Sequence, residues 1–258
     1  PRADFRVFFQ PQFDADHRLV GAEALLRWQH PERGLVMPGD FIGLAEESGL
    51  VTEIGDWVLK ESLARLQAWR EAWPQARLGR VAVNVSALQF RQTDFVKKVE
   101  RALGASGAPS VGLTLEMTES ILLEDFDETV EKIRALKRLG VRFALDDFGT
   151  GYSSLAYLKR LPLDELKIDR SFVRDVTVDA SDAALVDTIL TLAGHIGLDV
   201  VAEGVETAEA MEYLSKRGCP VFQGYFFGKP CPADEFAERF LADRAQVPAV
   251  AGASRGTH

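Results

Sequence analysis

Carboxylates, amides and one lysine recur at the ends of short apolar runs in this 258-residue chain. Glu23 follows LVGA, Asn84 follows VAV, Glu116 follows GLTL and the pair Asp146–Asp147 follows VRFAL. Glu203 follows DVVA, Gln223 follows VF, and Lys167 lies inside ELKID between strand-forming Leu166 and Ile168, which argues against a surface lysine. A single polar residue at such a place means little, because strands end in solvent. A series of them implies that many strand ends converge on one mouth. Glu23, Glu116, Asp146, Asp147 and Glu203 could not all stay ionised there, since like charges at short range and burial both disfavour the ionised form. Divalent cations resolve the conflict. The donor set is oxygen-rich, with the Asn84 carbonyl and no nearby cysteine, and His17, His30, His195 and His258 fall into no ligand spacing. Mg²⁺ or Mn²⁺ therefore suits it better than Zn²⁺. Adjacent aspartates can supply a bridging and a terminal ligand, so the pattern predicts two ions ~3.5–4 Å apart, an arrangement suited to phosphodiester cleavage.

The elements that must hold these residues follow from periodicity. Three stretches, RALKRLGVRFALDDFG, LAGHIGLDVVAEGVE and LSKRGCPVFQGY, each read as a helix, a glycine, a short apolar run and then polar residues. Gly140, Gly197 and Gly218 stand where helices end in left-handed caps, and the runs after them suit buried strands. Core faces precede them, such as Phe126, Val130, Ile133 and Leu136, or Leu185, Ile189, Leu192 and Ile196. Strands are expected over 6–13, 19–28, 81–85, 112–116, 141–146, 165–168, 200–202 and 221–222. A helix over 52–73 carries Ile54, Trp57, Val58, Leu63, Leu66 and Trp69 inward. This alternation in one domain points to an α/β fold, a modified (β/α)₈ TIM-type barrel. Only DADHR separates the first two strands, too short for a parallel crossover, so strand one should run antiparallel to strand two.

Composition sets the boundaries. With 47% hydrophobic and 27% charged residues the chain can bury a large core. The barrel is expected over 1–245 and a flexible tail over 246–258, with the whole read as a domain cut from a longer polypeptide. No apolar run reaches the ~20 residues that cross a bilayer and no signal-peptide pattern opens the chain, so a cytoplasmic setting is the default. Cys219 and Cys231 match no metal spacing and read as reduced, buried thiols. The net charge of −9 repels DNA or RNA, and any anionic substrate needs a local remedy.

The run EALLRW at 23–28 resembles the signature of the EAL family. The resemblance continues in order through QPQFD, NVSALQF, LEMTES, DDFGTGYSSL, LKIDRSF, AEGVE and QGYFFGKP, from about Phe5 to Arg239. It implies a phosphodiesterase that opens cyclic di-GMP to linear 5′-pGpG by two-metal, in-line attack of water. It also implies that Glu23, Asn84, Glu116 and Asp146 hold one ion and that Asp146, Asp147 and Glu203 hold the other. Lys167 matches the catalytic lysine that orients or deprotonates water, with Glu23 and Glu203 joining it as catalytic groups. Gln10, Arg27, Gln223 and Asp169 match substrate contacts, although an ordinary salt bridge competes for Arg27 and for Asp169. Glu119 corresponds to a glutamate that holds the glycine-hinged loop, and Glu206 to a residue behind the ligands, where a plain salt bridge competes again. Self-association as a homodimer and fusion to sensor or GGDEF-type domains are implied as well. One departure is Gly43, where the family often has proline; it removes no ligand. Some members of the family only bind cyclic di-GMP, so an inactive receptor module is the alternative, against which the full ligand set, Lys167 and Glu119 speak.

Overall fold

The computed structural model describes residues 4–76, 78–122, 125–149 and 155–242. Its ten strands form one sheet: β1 (Phe5–Asp14), β2 (Leu19–His30), β3 (Gly34–Val36), β4 (Arg80–Asn84), β5 (Leu113–Thr118), β6 (Arg142–Phe148), β7 (Glu165–Ile168), β8 (Asp199–Ala202), β9 (Val221–Gln223) and β10 (Cys231–Pro232). Pairing runs β1-β9-β8-β7-β6-β5-β4-β2, and a β1–β2 pairing closes the barrel. From β2 through β4 to β9 every neighbour is parallel, whereas β1 is antiparallel to both β2 and β9. The antiparallel first strand is thus present as expected. Its hairpin is held by Asp14 Oδ1, which accepts from the backbone N–H groups of Asp16 and Arg18 at 2.9 and 2.8 Å, while His17 takes a left-handed conformation with φ 58°.

Strand alternation divides the sequence between two environments. In β5, Leu113, Leu115 and Met117 alternate with Thr114, Glu116 and Thr118. The first set packs with the helices in the apolar core, and the second faces the barrel axis. The long helix Val51–Ala72 covers β1 and β2 with Val58, Leu59, Leu63, Leu66 and Trp69. Trp69 meets Phe9 edge-on at 4.7 Å and stacks on Phe236 at 4.9 Å, so the outer face of β1 is sealed by aromatic contact.

Inside, the barrel is polar where a stack of branched apolar layers is the usual filling. Its floor is built at strand starts: Arg80 pairs with fully buried Glu165 at 2.6 Å, and Arg142 pairs with Asp199 at 2.7 Å. Above the floor the space is narrow-walled, with Ala82, Ala144 and Val201 facing inward beside the charged groups. On the outside, Lys132 of helix Phe126–Arg138 donates to the carbonyls of Phe90, Arg91 and Gln92 at 3.0, 3.0 and 3.2 Å. Those carbonyls end the short helix Ala87–Phe90 that follows Asn84, so its position is tied to the neighbouring helix layer.

Several boundaries differ from those read in sequence. β4 ends at Asn84, and β5 continues to Thr118. The short strands β3 and β10 were not expected, because three and two residues are too few to display alternation. Gly43 sits within helix Ile42–Glu47, so the absence of proline there does not prevent the turn from forming. Gly140, Gly197 and Gly218 all have positive φ, as left-handed caps require. Cys219 and Cys231 are free, buried thiols, and burial pushes the first up to about 12 and the second to about 11. Among the described residues no helix is long and apolar enough to cross a membrane. The expected tail at 246–258 and the middle of the glycine-hinged loop, 150–154, lie outside the described residues.

One glycine locks the mouth. A Cβ on Gly224 would lie 2.1 Å from the carbonyl oxygen and 2.3 Å from the nitrogen of Val205. Val205 N–H donates to Gln223 O at 3.0 Å, so the strand-end segments after β8 and β9 touch backbone to backbone there. Gly224→Ala should therefore push these segments apart at a cost of about 2 kcal/mol or more. Differential scanning calorimetry should show a midpoint lower by roughly 4–8 °C, and an unchanged midpoint would contradict the contact.

Candidate metal centre at the barrel mouth

Each group of the site is delivered by the same device, an inward-facing position near the carboxyl end of a stave. Lys167 from β7 is fully buried. Its Nζ lies 2.7 Å from Glu203 Oε1, 2.8 Å from Glu116 Oε2, 3.1 Å from Asp146 Oδ1 and 3.6 Å from Glu23 Oε2. One ammonium thus faces four carboxylates from four other strands or strand ends. The two β1 glutamines reach the same cluster because β1 enters against the direction of its neighbours.

Amides complete the setting of Glu23. Asn84 Nδ2 donates to Glu23 Oε1 at 2.7 Å, and Gln223 Nε2 donates to Glu23 Oε2 at 2.5 Å. Gln223 Nε2 also donates to Gln10 Oε1 at 3.2 Å, and Gln10 Nε2 donates to the Gly228 carbonyl at 3.1 Å. Behind them Gln12 Nε2 donates to Gln223 Oε1 at 2.9 Å. Gln12 was missed in the sequence. Its only signal there was parity, two residues from Gln10 on one strand face.

The electrostatics follow from burial and crowding. Burial, reinforced by Glu23, raises the Glu116 carboxyl well above its usual range despite Lys167. Burial raises Glu203 to about 8 against the pull of Lys167, and burial with Asp146 and Asp169 raises Asp147 to about 6. Burial would raise Glu23 as well, but Lys167 and the amides of Gln223 and Asn84 outweigh it and hold this carboxyl low. Lys167 is likewise desolvated, yet Asp146, Glu116, Glu203 and Glu23 keep it a cation with a pKa well above the usual value.

Do these residues fit dications? Asp146, Asp147 and Glu203 each offer a carboxylate oxygen, and the three lie within 4.8 Å of one another. Asp147 is placed by a left-handed backbone with φ 53°, its N–H donating to Asp146 Oδ1 at 3.0 Å, so the two neighbouring carboxylates project from a tight bend. Both oxygens of Glu116 are buried and lack hydrogen-bond partners, although one is ion-paired with Lys167. Asn84 spends its amide nitrogen on Glu23, which turns its carbonyl oxygen toward other partners. An all-oxygen set of this kind, short of positive charge, fits hard dications.

The remaining expected residues lie around this centre. Arg27 is buried, donates to the Leu26 carbonyl at 2.8 Å and lies 5.7 Å above the Phe8 ring, and the Glu23 carboxylate favours its charge. Asp169 caps helix Arg170–Arg174 by accepting from the Ser171 N–H at 3.0 Å and from the Ser171 hydroxyl, and it hydrogen-bonds Asp147. Glu119 is half-buried at the start of the turn Glu119–Leu122 that follows β5. Glu206 is exposed beyond β8, outside the carboxylate cluster.

A sequence profile of the EAL domain matches residues 2–230. The chain belongs to the EAL domain family. Among curated relatives, this EAL domain is 43% identical over 239 residues to the bifunctional diguanylate cyclase/cyclic di-GMP phosphodiesterase MucR of Pseudomonas aeruginosa, covering 91% of the chain and 34% of that protein. It is 42% identical over 234 residues to the cyclic di-GMP phosphodiesterase NbdA of the same species, covering 90% of the chain and 30% of NbdA. It is 42% identical over 231 residues to the oxygen sensor protein DosP of Escherichia coli, covering 89% of the chain and 29% of DosP. The chain therefore spans about a third of the length of these relatives. Among solved structures, the PaMucR phosphodiesterase in complex with c-di-GMP superposes with a TM-score of 0.87 at 43% identity, covering 91% of this chain and 95% of that one. The EAL enzyme Bd1971, bound to cAMP and cyclic-di-GMP, gives 0.87 at 34% identity, covering 92% of this EAL domain and 65% of that chain.

Because Lys167 is the cation common to four carboxylates, its loss should be felt first in stability. In chelator, Lys167→Met should lower stability by roughly 3 kcal/mol, the scale of breaking a buried ion pair. Added Mg²⁺ or Mn²⁺ should restore part of the melting temperature by binding only the folded state. A variant as stable as the parent in chelator would show that the carboxylates do not depend on this lysine.

Proposed function

We propose that this EAL domain hydrolyses cyclic di-GMP, opening one phosphodiester to give linear 5′-pGpG. The observation that carries the reading is the buried lysine ringed by Glu23, Glu116, Asp146 and Glu203, with Asp147 completing a three-carboxylate group. Support comes from MucR and NbdA, relatives named as cyclic di-GMP phosphodiesterases, and from the c-di-GMP complex of the MucR domain.

On this reading Glu23, Asn84, Glu116 and Asp146 would hold one Mg²⁺ or Mn²⁺, and Asp146, Asp147 and Glu203 a second. Bound there, the ions would make water more acidic and neutralise the charge that grows on the phosphoryl oxygens. The chain's own groups supply position and selectivity. Lys167, whose Nζ now faces the carboxylates that would hold the ions, would turn an N–H from its rigid, buried stave to the attacking water and orient it toward phosphorus once the ions share those carboxylates. Arg27, pinned over Phe8, offers a guanidinium to a phosphate in a mouth that is otherwise acidic. Gln223 and Gln10 fix the Glu23 carboxylate, and Asp169 steadies Asp147. The pairs Arg80–Glu165 and Arg142–Asp199 balance charge at the strand starts, so the acidic excess lies at the strand carboxyl ends. The relatives' greater length and their names support fusion to further sensory or cyclase domains; pairing of two copies is proposed on the family resemblance.

Turnover of cyclic di-GMP in Mg²⁺ or Mn²⁺ tests the proposal. The parent should release pGpG, Glu23→Ala should lose nearly all activity, and Lys167→Ala should fall about 100-fold or more in kcat. Lys167→Ala should still bind cyclic di-GMP in Ca²⁺, as read by calorimetry. A parent that binds the nucleotide with either ion and never cleaves it is a receptor module, and the hydrolytic reading fails.

A further inference from the structure

The polarity of a chain of hydrogen-bonded amides is set at whichever end has no choice. Here that end is Glu23, whose ionised carboxylate can only accept. Gln223 must therefore turn its NH₂ toward Glu23 Oε2, 2.5 Å away, and its carbonyl oxygen away from it. That oxygen faces Gln12, which must in turn present its own NH₂, at 2.9 Å. Gln12 is fully buried, and its remaining Oε1 has no hydrogen-bond partner. This orphan oxygen points at Gly21, where a Cβ would stand only 2.7 Å from it. The fold thus leaves a side chain out at Gly21 and tolerates an unpartnered buried carbonyl, an arrangement that costs stability unless the other end of the amide is needed. What that end does is hold Gln223.

We propose that Gln12 is a positioning residue: its side-chain NH₂ locks the Gln223 amide in the one orientation that gives a donor to Glu23, and so fixes the Glu23 carboxylate for a divalent cation. The inference rests on the metal reading of the site. Without Gln12 the Gln223 amide is held from its nitrogen side alone, by Glu23 at 2.5 Å and Gln10 Oε1 at 3.2 Å, so it is less firmly fixed and its carbonyl oxygen can swing toward the carboxylate, where an attraction becomes a repulsion. Gln12 reaches this place only because β1 is antiparallel, which sets Gln10 and Gln12 on the inner face opposite Glu23 and Gly21, with Gln12 opposite Gln223. A plain packing role for Gln12 makes a different forecast, in which an apolar replacement of similar size changes stability and nothing else.

Gln12→Leu and Gln12→Met separate these roles, the second retaining the reach of the side chain in case leucine packs badly. Both should fold with a melting temperature near or somewhat below that of the parent, since the Gln12 orphan carbonyl is gone but buried Gln223 Oε1 loses its donor. Their Mn²⁺ affinity, measured by calorimetry, should weaken about tenfold or more, the usual consequence of losing a group that orients a ligand. In metal-free protein labelled with ¹⁵N, the side-chain NH₂ resonances of Gln223 should shift and exchange faster with water. On a Gln223→Leu background, adding Gln12→Leu should cost no further affinity, because Gln12 acts through Gln223. Unchanged Gln223 resonances and unchanged Mn²⁺ affinity in both variants overturn the proposal, as does a lowered melting temperature with those two readouts unmoved. A parent that binds no dication while its Gln223 resonances still answer to Gln12 keeps the amide relay and sinks the metal reading alone.

Discussion

A single buried ammonium set against four carboxylates is the constraint on which this molecule turns. Charges of one sign cannot be gathered in a low-dielectric interior without compensation, and Lys167 compensates only part. The unresolved remainder is visible in Glu116, Glu203 and Asp147, whose carboxyls are all pushed upward by burial and by neighbouring carboxylates, Asp146 among them in each case. A site that stores negative charge in this way is preorganised for dications, because the protein has already met the cost of bringing the ligands together during folding.

The barrel makes that storage possible by separating two jobs. Outward positions on each stave, such as Leu113, Leu115 and Met117, bury apolar surface against helices and supply stability. Inward positions are thereby released from packing and can be charged. The floor pairs Arg80–Glu165 and Arg142–Asp199 balance their own charges, so the excess is confined to the mouth. The reversed first strand adds a third contribution. By running against its neighbours it brings Gln10 and Gln12 to the inner face beside Gln223, where amides rather than charges set the orientation of Glu23.

Much of this was legible in the sequence because the barrel repeats one rule: an apolar run, then a polar residue at the mouth. Glu23, Asn84, Glu116, Asp146, Lys167, Glu203 and Gln223 obey it and do meet in the structure. The hairpin was legible from the length of DADHR alone. What the sequence hid depends on register and side-chain direction. Gln12 looks like any polar residue on a strand until β1 is aligned against β2 and β9. Arg80 and Glu165 are 85 positions apart, and nothing local announces that the strand starts carrying them close one floor. Arg27 was readable as a charge, but its seat over Phe8 needed the pairing of β1 with β2. Strands β3 and β10 escaped because two or three residues form no period.

Electron paramagnetic resonance of Mn²⁺ titrated into the chelator-treated protein tests the central claim most directly, since it reports bound ions and their mutual distance without relying on turnover. The account predicts that the six-line signal of free Mn²⁺ is quenched as the site fills and is replaced by the broadened spectrum of a spin-coupled pair, at the ~3.5–4 Å spacing of two-metal centres. A free-ion signal that grows in direct proportion to added Mn²⁺ from the first aliquot would contradict it, because the crowded carboxylates would then be stable without any dication among them.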